Sequence, residues 1–427
     1  MGINSGVHKL SGDRKGVVMI LVAVAIFVII GFAALAIDVG HLFIVRNELK
    51  NAADAGALAG ARILYINNGT AVNPNANQAA FDAAAANQSE KHAVDVDWSG
   101  GNAGDVERGH WGFATRSFTP NDSLSPVDLW DLKSDALDSD TNFINAVRVK
   151  ARREATPAAS FFARVFGFQN FALSAESVAY IGFAGSIRPE DVDQPIAICQ
   201  QAILNAGGEY TCGVGRMINS GTGNANHQTG GWTNFTQPCL TASASTVRPL
   251  VCGQGNPVPI AFGLGMGTNG GEIASAFNDL IACWRNRPGL DADADGWPDR
   301  PWILTLPVID CPGNNTGNCS KVTGVVTLNI LWVTNNDKNQ YNEVPRNMQV
   351  TIDGTKRTFT CPKPTSGQQC WSNFVATFNL QDVLNGTPAT YEDTTIYFLP
   401  DCNPHNPVGT SGGNNYGVLA RTPKLVQ

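Results

Sequence analysis

From Val17 to Ile37 the chain reads VVMILVAVAIFVIIGFAALAI, an apolar run with no charged residue and no proline. At about 1.5 Å of rise per residue, a helix of this length reaches across the roughly 30 Å hydrocarbon core of a bilayer. Backbone polar groups cannot stay unpaired in lipid, so an isolated segment of this kind has to be helical, and Gly31 does not interrupt it. The run predicts one transmembrane helix over residues 17–37, with every other part of the chain placed on one side of that membrane or the other.

The flanks set the orientation. Residues 1–16 carry Lys9, Arg14 and Lys15 against the single acid Asp13, and the positive-inside rule keeps them cytoplasmic and exports the chain beyond Ile37. Ala34-Leu35-Ala36 has the spacing of a signal-peptidase site, yet the apolar run exceeds the roughly 7–15 residues of a signal-peptide core, which predicts an uncleaved anchor. A prepilin-type site after Gly16 would need glutamate where Leu21 stands, so no such cleavage is expected.

Past the span, Leu42, Val45, Leu49, Ala52, Gly56, Ala59 and Ile63 recur at alternating steps of three and four. This heptad-like seam predicts that the helix extends, amphipathic, through residues 38–66. Arg46, Glu48, Lys50, Asp54 and Arg62 lie off the seam, and the small residues Ala52, Gly56 and Gly60 allow another helix to come close. The seam can pack on the chain's own globular part or mediate a helix-to-helix oligomer. Asp38 shares a stripe with Leu35, Leu42 and Val45 where the helix leaves the lipid. It reads as a wet headgroup-level carboxylate, the alternative being a pair with a base on a neighbouring subunit's helix.

Residues 67–190 are expected to form an α+β domain. Asn67 to Asn75 is turn-forming, and Asn77 to Gln88 is an Ala-rich helix. Val94 to Trp98, Val106 to Phe113, Ala146 to Arg152 and Leu173 to Ile181 alternate as strands, and Pro157 to Phe166 reads as a short helix with proline in its first turn. On the third strand Arg148, Lys150 and Arg152 make a basic stripe that reads as a solvated face. With 427 residues of which 15% are charged, a net charge of -7 and a pI near 5.4, the chain offers no basic surface for nucleic acid.

Residues 191–427 differ in kind. All ten cysteines lie between Cys199 and Cys402, mostly in local pairs: Cys199 with Cys212, Cys239 with Cys252, Cys311 with Cys319 and Cys361 with Cys370, leaving Cys283 and Cys402. Neighbours of this sort suggest five disulfides, and with an even count on a tethered chain they point to an oxidising compartment. No CxxC knuckle favours zinc. Strands are expected at Ile303 to Ile309, Val322 to Val333, Met348 to Ile352, Phe374 to Leu380 and Thr394 to Leu399, with one helix at Glu272 to Trp284. The region therefore reads as a disulfide-rich, mostly-β domain.

One motif carries chemistry. Asp291, Asp293, Asp295, Gly296, Trp297 and Asp299 reproduce the first nine positions of an EF-hand calcium loop. Carboxylates at alternate places, the Trp297 carbonyl and Asp299, directly or through water, can wrap a hard cation, with Gly296 at the sharp turn. The twelfth place holds Trp302 instead of a bidentate glutamate. Calcium is thus expected to bind weakly, with a Kd on the order of 10⁻⁴ to 10⁻³ M, in a structural role. Enzymatic readings find no support: neither a Walker loop nor H-E-x-x-H occurs, the six histidines are scattered, and oxidised cysteines leave no thiolate.

The stretch RKGVVMILVAVAIFVIIGFAALAIDVGHLFIVRNELKNAADAGALAGAR, with Asp38-Val39-Gly40, Arg46 and Asn51-Ala52-Ala53-Asp54-Ala55, resembles the N-terminal segment of TadE/TadG-like proteins of the Tad (Flp) pilus assembly system. Trp111 to Arg116 and Ser160 to Phe166 resemble the TadG-like family too, as do Trp302 to Cys311 and Val322 to Leu331 more loosely. The resemblance implies a non-enzymatic, single-pass inner-membrane protein with a periplasmic bulk. It would assist assembly or anchoring of a Tad-type pilus beside TadE/TadF-like pseudopilins. The D-x-S-x-S metal motif of von Willebrand A domains found in some TadG-like proteins is missing; Asp122-Ser123-Leu124-Ser125 has the wrong order. The alternative is a calcium-binding surface or extracellular adhesin that shares only the anchor.

Overall fold

The computed structural model describes residues 14–125, 134–192, 194–205, 208–219, 230–253, 255–270, 273–312, 316–335, 341, 343–352, 354–381, 386–401, 403 and 405–427. Lys9, His227, Glu272 and Cys402 lie outside these residues.

Helix α1 runs without a break from Arg14 to Arg62, and among the described residues it is the one helix long and apolar enough to cross a membrane. Its first half is bare, with Ile20, Phe27, Ile30 and Phe32 all exposed. Its second half is not. Val45, Leu49, Ala52, Ala53, Ala57 and Ala61 are fully buried, packed against a five-stranded sheet.

That sheet is built from β1 (Val106–Gly112), β2 (Ser117–Pro120), β3 (Ala146–Ala159), β4 (Asn170–Tyr180) and a last strand contributed by Lys424–Leu425. The order is Lys424–Leu425, β4, β3, β1, β2, all antiparallel. The alternation in β3 sorts its side chains: Val147, Val149 and Ala151 point into the helix. Arg148 and Arg152 point away, the first paired with Glu107 and 4.0 Å from Glu176, the second paired with Asp105 and 3.2 Å from Glu154. The basic stripe is thus cancelled by carboxylates on its own face. Helix α2 (Ala76–Ala85) lies on the same side of the sheet as α1.

Two expectations fail here. Pro157 does not start a helix: β3 continues to Ala159, with its register broken between Arg153 and Ala158. A proline removes one ladder donor, and an interruption of the ladder is where a strand tolerates it. Only Ala163–Phe166 forms a 3-10 turn. Val94 to Trp98 makes a single bridge, Asp95 to Arg152, rather than a strand.

The chain then leaves the first sheet and enters a second, seven-stranded one. Its members are β5 (Ile196–Cys199), β6 (Arg216–Asn219), β7 (Gly230–Thr233), β8 (Gly265–Asn269), β9 (Trp302–Ile309), β10 (Cys319–Thr334) and a strand at Thr395–Pro400. The order is β6, Thr395–Pro400, β10, β8, β7, β5, β9, and β9 also pairs with β10, so β5, β7, β8, β10 and β9 close into a ring. Helix α3 (Ala274–Asn286) covers it through Phe277, Leu280 and Trp284, with Phe277 edge-on to Trp232 at 5.5 Å. Helix α4 (Gly367–Phe378) presents Trp371 and Phe374 to Trp332 and Tyr397, with Phe378 against Phe359.

Helix α4 corrects the strand expected at Phe374 to Leu380. Cys370, Trp371, Phe374, Val375 and Phe378 are buried at helical spacing, and Ser366 caps the start by accepting from the Gln369 amide at 3.3 Å.

The cysteine pairing is also corrected. The described bonds are Cys199–Cys311, Cys239–Cys319, Cys252–Cys283 and Cys361–Cys370, and Cys212 is disulfide-bonded as well. Of the local pairs only Cys361–Cys370 forms. Strand order decides the others: parallel pairing of β5 with β9 sets Cys199 beside Ile309, and Cys311 comes two residues on.

Candidate functional site

The helix–sheet junction is built by small residues. A Cβ added at Gly56 would lie 2.8 Å from both the Ala80 carbonyl oxygen and the Ala84 methyl. One added at Gly60 would lie 2.8 Å from the Ala80 methyl and 3.0 Å from the Ala76 oxygen. The close-approach signal at Gly56 and Gly60 was therefore legible, and the helix that approaches is α2 of the same chain. Val45, Leu49, Ala52 and Gly56 of the seam are buried within the chain itself, and Leu42, Ala59 and Ile63 are half-buried.

Asp38 is neither wet nor paired with a base. It is 4% exposed, and its Oδ1 accepts from the Phe161 amide at 2.8 Å while its Oδ2 accepts from the Ala163 amide at 2.6 Å and the Phe162 amide at 3.1 Å. Burial pushes this carboxyl up, but the amides of Phe161, Ala163 and Phe162 and the neighbouring His41 outweigh it and hold it below its ordinary value. One turn on, His41 hydrogen-bonds Glu90 and its ring lies 4.8 Å from that of Phe161. A carboxylate taking three backbone donors leaves no side-chain partner to be read from sequence.

Two family models match across this junction. One, described as Flp pilus-assembly TadE/G-like, covers residues 16–62, and the other, described as Tad-like Flp pilus-assembly, covers residues 59–179. Over residues 16–179 the chain is similar to TadE/TadG-like pilus-assembly proteins. Together the two matches take in α1, α2 and strands β1 to β4, up to the last residue but one of β4, and leave out the sheet's Lys424–Leu425 strand. No curated protein and no solved structure matches.

Outside the Tad-like region, the acidic loop lies between α3 and β9. Carboxylate oxygens of Asp291, Asp293 and Asp295 fall within 4.8 Å of one another. The turn is held by its own amides: Gly296 donates to Asp291 at 2.8 Å and Trp297 to Asp295 at 2.9 Å, with Gly296 at φ +88. Asp299 accepts from the Ala292 amide at 3.2 Å, and its other oxygen is buried without a hydrogen-bond partner. The Trp297 ring meets Trp284, and Arg285 sits 4.0 Å over it. Trp302, at the EF-hand's twelfth place, is 2% exposed in the core, which explains the lost glutamate: this position serves β9. Three clustered carboxylates make a donor set suited to a hard cation, and Asp299 is not one of the three.

His110 and His405 are held by polar neighbours. His110 spans the Phe143 and Asp138 carbonyls, each at 2.8 Å, and His405 stands 3.7 Å from Asp401, with burial lowering its pKa.

Proposed function

We propose that this chain is a non-enzymatic, single-pass inner-membrane protein, N-terminus cytoplasmic and bulk periplasmic, that helps assemble or anchor a Tad/Flp-type pilus. The observation that carries the reading is the unbroken helix α1. It joins a bare apolar span to the core of the Tad-like body, so a displacement imposed within the bilayer reaches the exported domains without a hinge. Since the seam beyond Asp38 is buried or half-buried within the chain, contacts with TadE/TadF-like pseudopilins fall to the span and to exposed Val39, Phe43 and Ile44 at its exit. The disulfides support export to an oxidising compartment. Deleting the gene and scoring pili by electron microscopy tests the reading. Loss or shortening of pili, restored by the full chain, is expected, and a normal pilus count overturns it.

The Asp291, Asp293 and Asp295 cluster supports a second element of the proposal: a weak calcium ion that pins the loop between α3 and β9. For a Kd on the order of 10⁻⁴ to 10⁻³ M, 10 mM calcium stabilises the fold by about 1 to 3 kcal/mol. The full chain in detergent should therefore melt higher with calcium than with magnesium, and Asp293→Asn with Asp295→Asn should abolish the shift. An unchanged melting temperature removes the ion. The same cluster is what favours a calcium-dependent adhesin instead. A gene neighbourhood lacking a prepilin peptidase, a secretin and an assembly ATPase would decide for that reading.

A further inference from the structure

Among the described residues outside the span, the connection between β3 and β4 carries a dense run of exposed apolar side chains. Ser160 closes it by donating its amide to the Gln169 oxygen at 3.0 Å, the 3-10 turn Ala163–Phe166 forms its tip, and Gly167 reverses the chain at φ +94. Val165 and Phe166 are each 80% exposed, Phe168 60%, Phe161 51% and Phe162 42%. Between Ser160 and Phe171 the only charged residue is Arg164, also exposed, and there is no acid. A water-facing turn has no reason to carry four phenylalanines and a valine outward, and a cluster of this kind marks a surface meant to be covered.

Its location says by what. The tip is fastened to α1 at Asp38, whose carboxylate takes the amides of Phe161, Phe162 and Ala163. Asp38 comes immediately after Ile37, the last residue of the apolar run. The exposed side chains of the tip are thus continuous with the bare surface of the span and stand at the level where the helix leaves the lipid. Aromatic residues gather at that depth, where apolar rings meet acyl chains, and an arginine there can reach lipid phosphates.

We propose that the β3–β4 tip is a second membrane contact. Phe161, Phe162, Val165, Phe166 and Phe168 enter the acyl–headgroup boundary of the leaflet from which α1 emerges, and Arg164 meets the phosphates. Asp38 is the positioning residue that locks tip to helix. One span leaves a domain free to swivel about its axis; a second contact beside it fixes the rotation and tilt of the exported body against the bilayer. The inference rests on residues 17–37 crossing the membrane.

The test measures depth. Cysteine is introduced singly at Val165, Phe166, Ile29 and Gln78, nitroxide-labelled and reconstituted with the full chain in phosphatidylcholine–phosphatidylglycerol vesicles; the described native cysteines are all in disulfides. Relaxation by oxygen against a water-soluble nickel chelate reports depth. Ile29, in mid-span, should read deepest. Gln78 lies on the exposed side of α2, which meets α1 some 30 Å beyond Asp38, and should read aqueous. Labels at 165 and 166 should read about 5–10 Å below the headgroup boundary, and Arg164→Glu should make them shallower. Labels at 165 and 166 as accessible to nickel as that at 78, with 29 still deep, overturn the proposal and leave the span intact. Labels shielded from both reagents mean a protein partner covers the tip, which overturns it too. An aqueous label at 29 sinks the span reading and the proposal with it.

Discussion

Gly56→Leu is expected to unfold the Tad-like body, and even Gly56→Ala to weaken it, while Gly40→Ala is tolerated or mildly stabilising. Helix propensity alone predicts the opposite for alanine, which gains about 1 kcal/mol over glycine inside a helix. At Gly56 that gain meets a backbone: the new methyl would stand 2.8 Å from the Ala80 oxygen and 3.2 Å from Val149. Neither is the free end of a flexible chain, so α2 must move off α1. Overpacking of this kind costs about 1–3 kcal/mol for small increments and more where the backbone must shift. Leucine has nowhere to go, because its face of α1 is filled by Ala80, Ala84 and Val149 on both flanks. At Gly40 no atom lies within 4 Å. Limited proteolysis of the full chain in detergent checks the series, with fragments starting near residues 67–75 expected for Gly56→Leu and none for Gly40→Ala. Equal resistance in all three would mean that α2 does not sit where these contacts place it.

The same junction shows what a sequence can and cannot disclose. The steps of three and four from Leu42 onward are local, so the helix and its small-residue strip were readable at once. What covers the strip is β3 and α2, reached only after the chain has turned back, and no periodicity announces it. Asp38 was harder still. Its partners are backbone amides at Phe161, Phe162 and Ala163, which any residue type supplies, so its burial left no mark on the neighbouring side-chain pattern.

In the distal region some short-range patterns held and others, the local cysteine pairs among them, did not. The spacing of Asp291, Asp293 and Asp295 sets their carboxylates together within one turn, as local chemistry predicts. The helix α4 was misread because a window beginning at Phe374 cuts off Cys370 and Trp371, and the remainder alternates like a strand. Lys424–Leu425 returns to β4 across the whole second region, a pairing that nothing nearby in sequence foreshadows. Lys50 reinforces the return, donating to the Gln427 oxygen at 2.9 Å.

Removing the Cys199–Cys311 bond should cost far more than removing Cys361–Cys370. A disulfide limits the unfolded chain in proportion to the logarithm of the loop it closes, and these bonds close separations of 112 and 9 residues. The loop relation gives about 4–5 kcal/mol for the first and about 2–3 kcal/mol for the second. Cys239–Cys319 spans an overlapping stretch and already shortens the path, which places the first near the bottom of its range. Burial does not separate the two bonds, since Cys361 and Cys370 are 2% and 1% exposed in the other core; loop length does. Cys199 and Cys311 are 1% and 0% exposed beside Phe235, Met266 and Val325 in the apolar packing between β5 and β9, so alanine at both leaves a void there as well. Since whole domains are stable by only about 5–15 kcal/mol, the ring should become marginal. Urea unfolding of the full chain in detergent, monitored by tryptophan fluorescence, is expected to show the Cys199→Ala, Cys311→Ala midpoint well below that of Cys361→Ala, Cys370→Ala. The reverse order would mean that closure of the ring depends on its strand pairing alone and that the long bond merely decorates it.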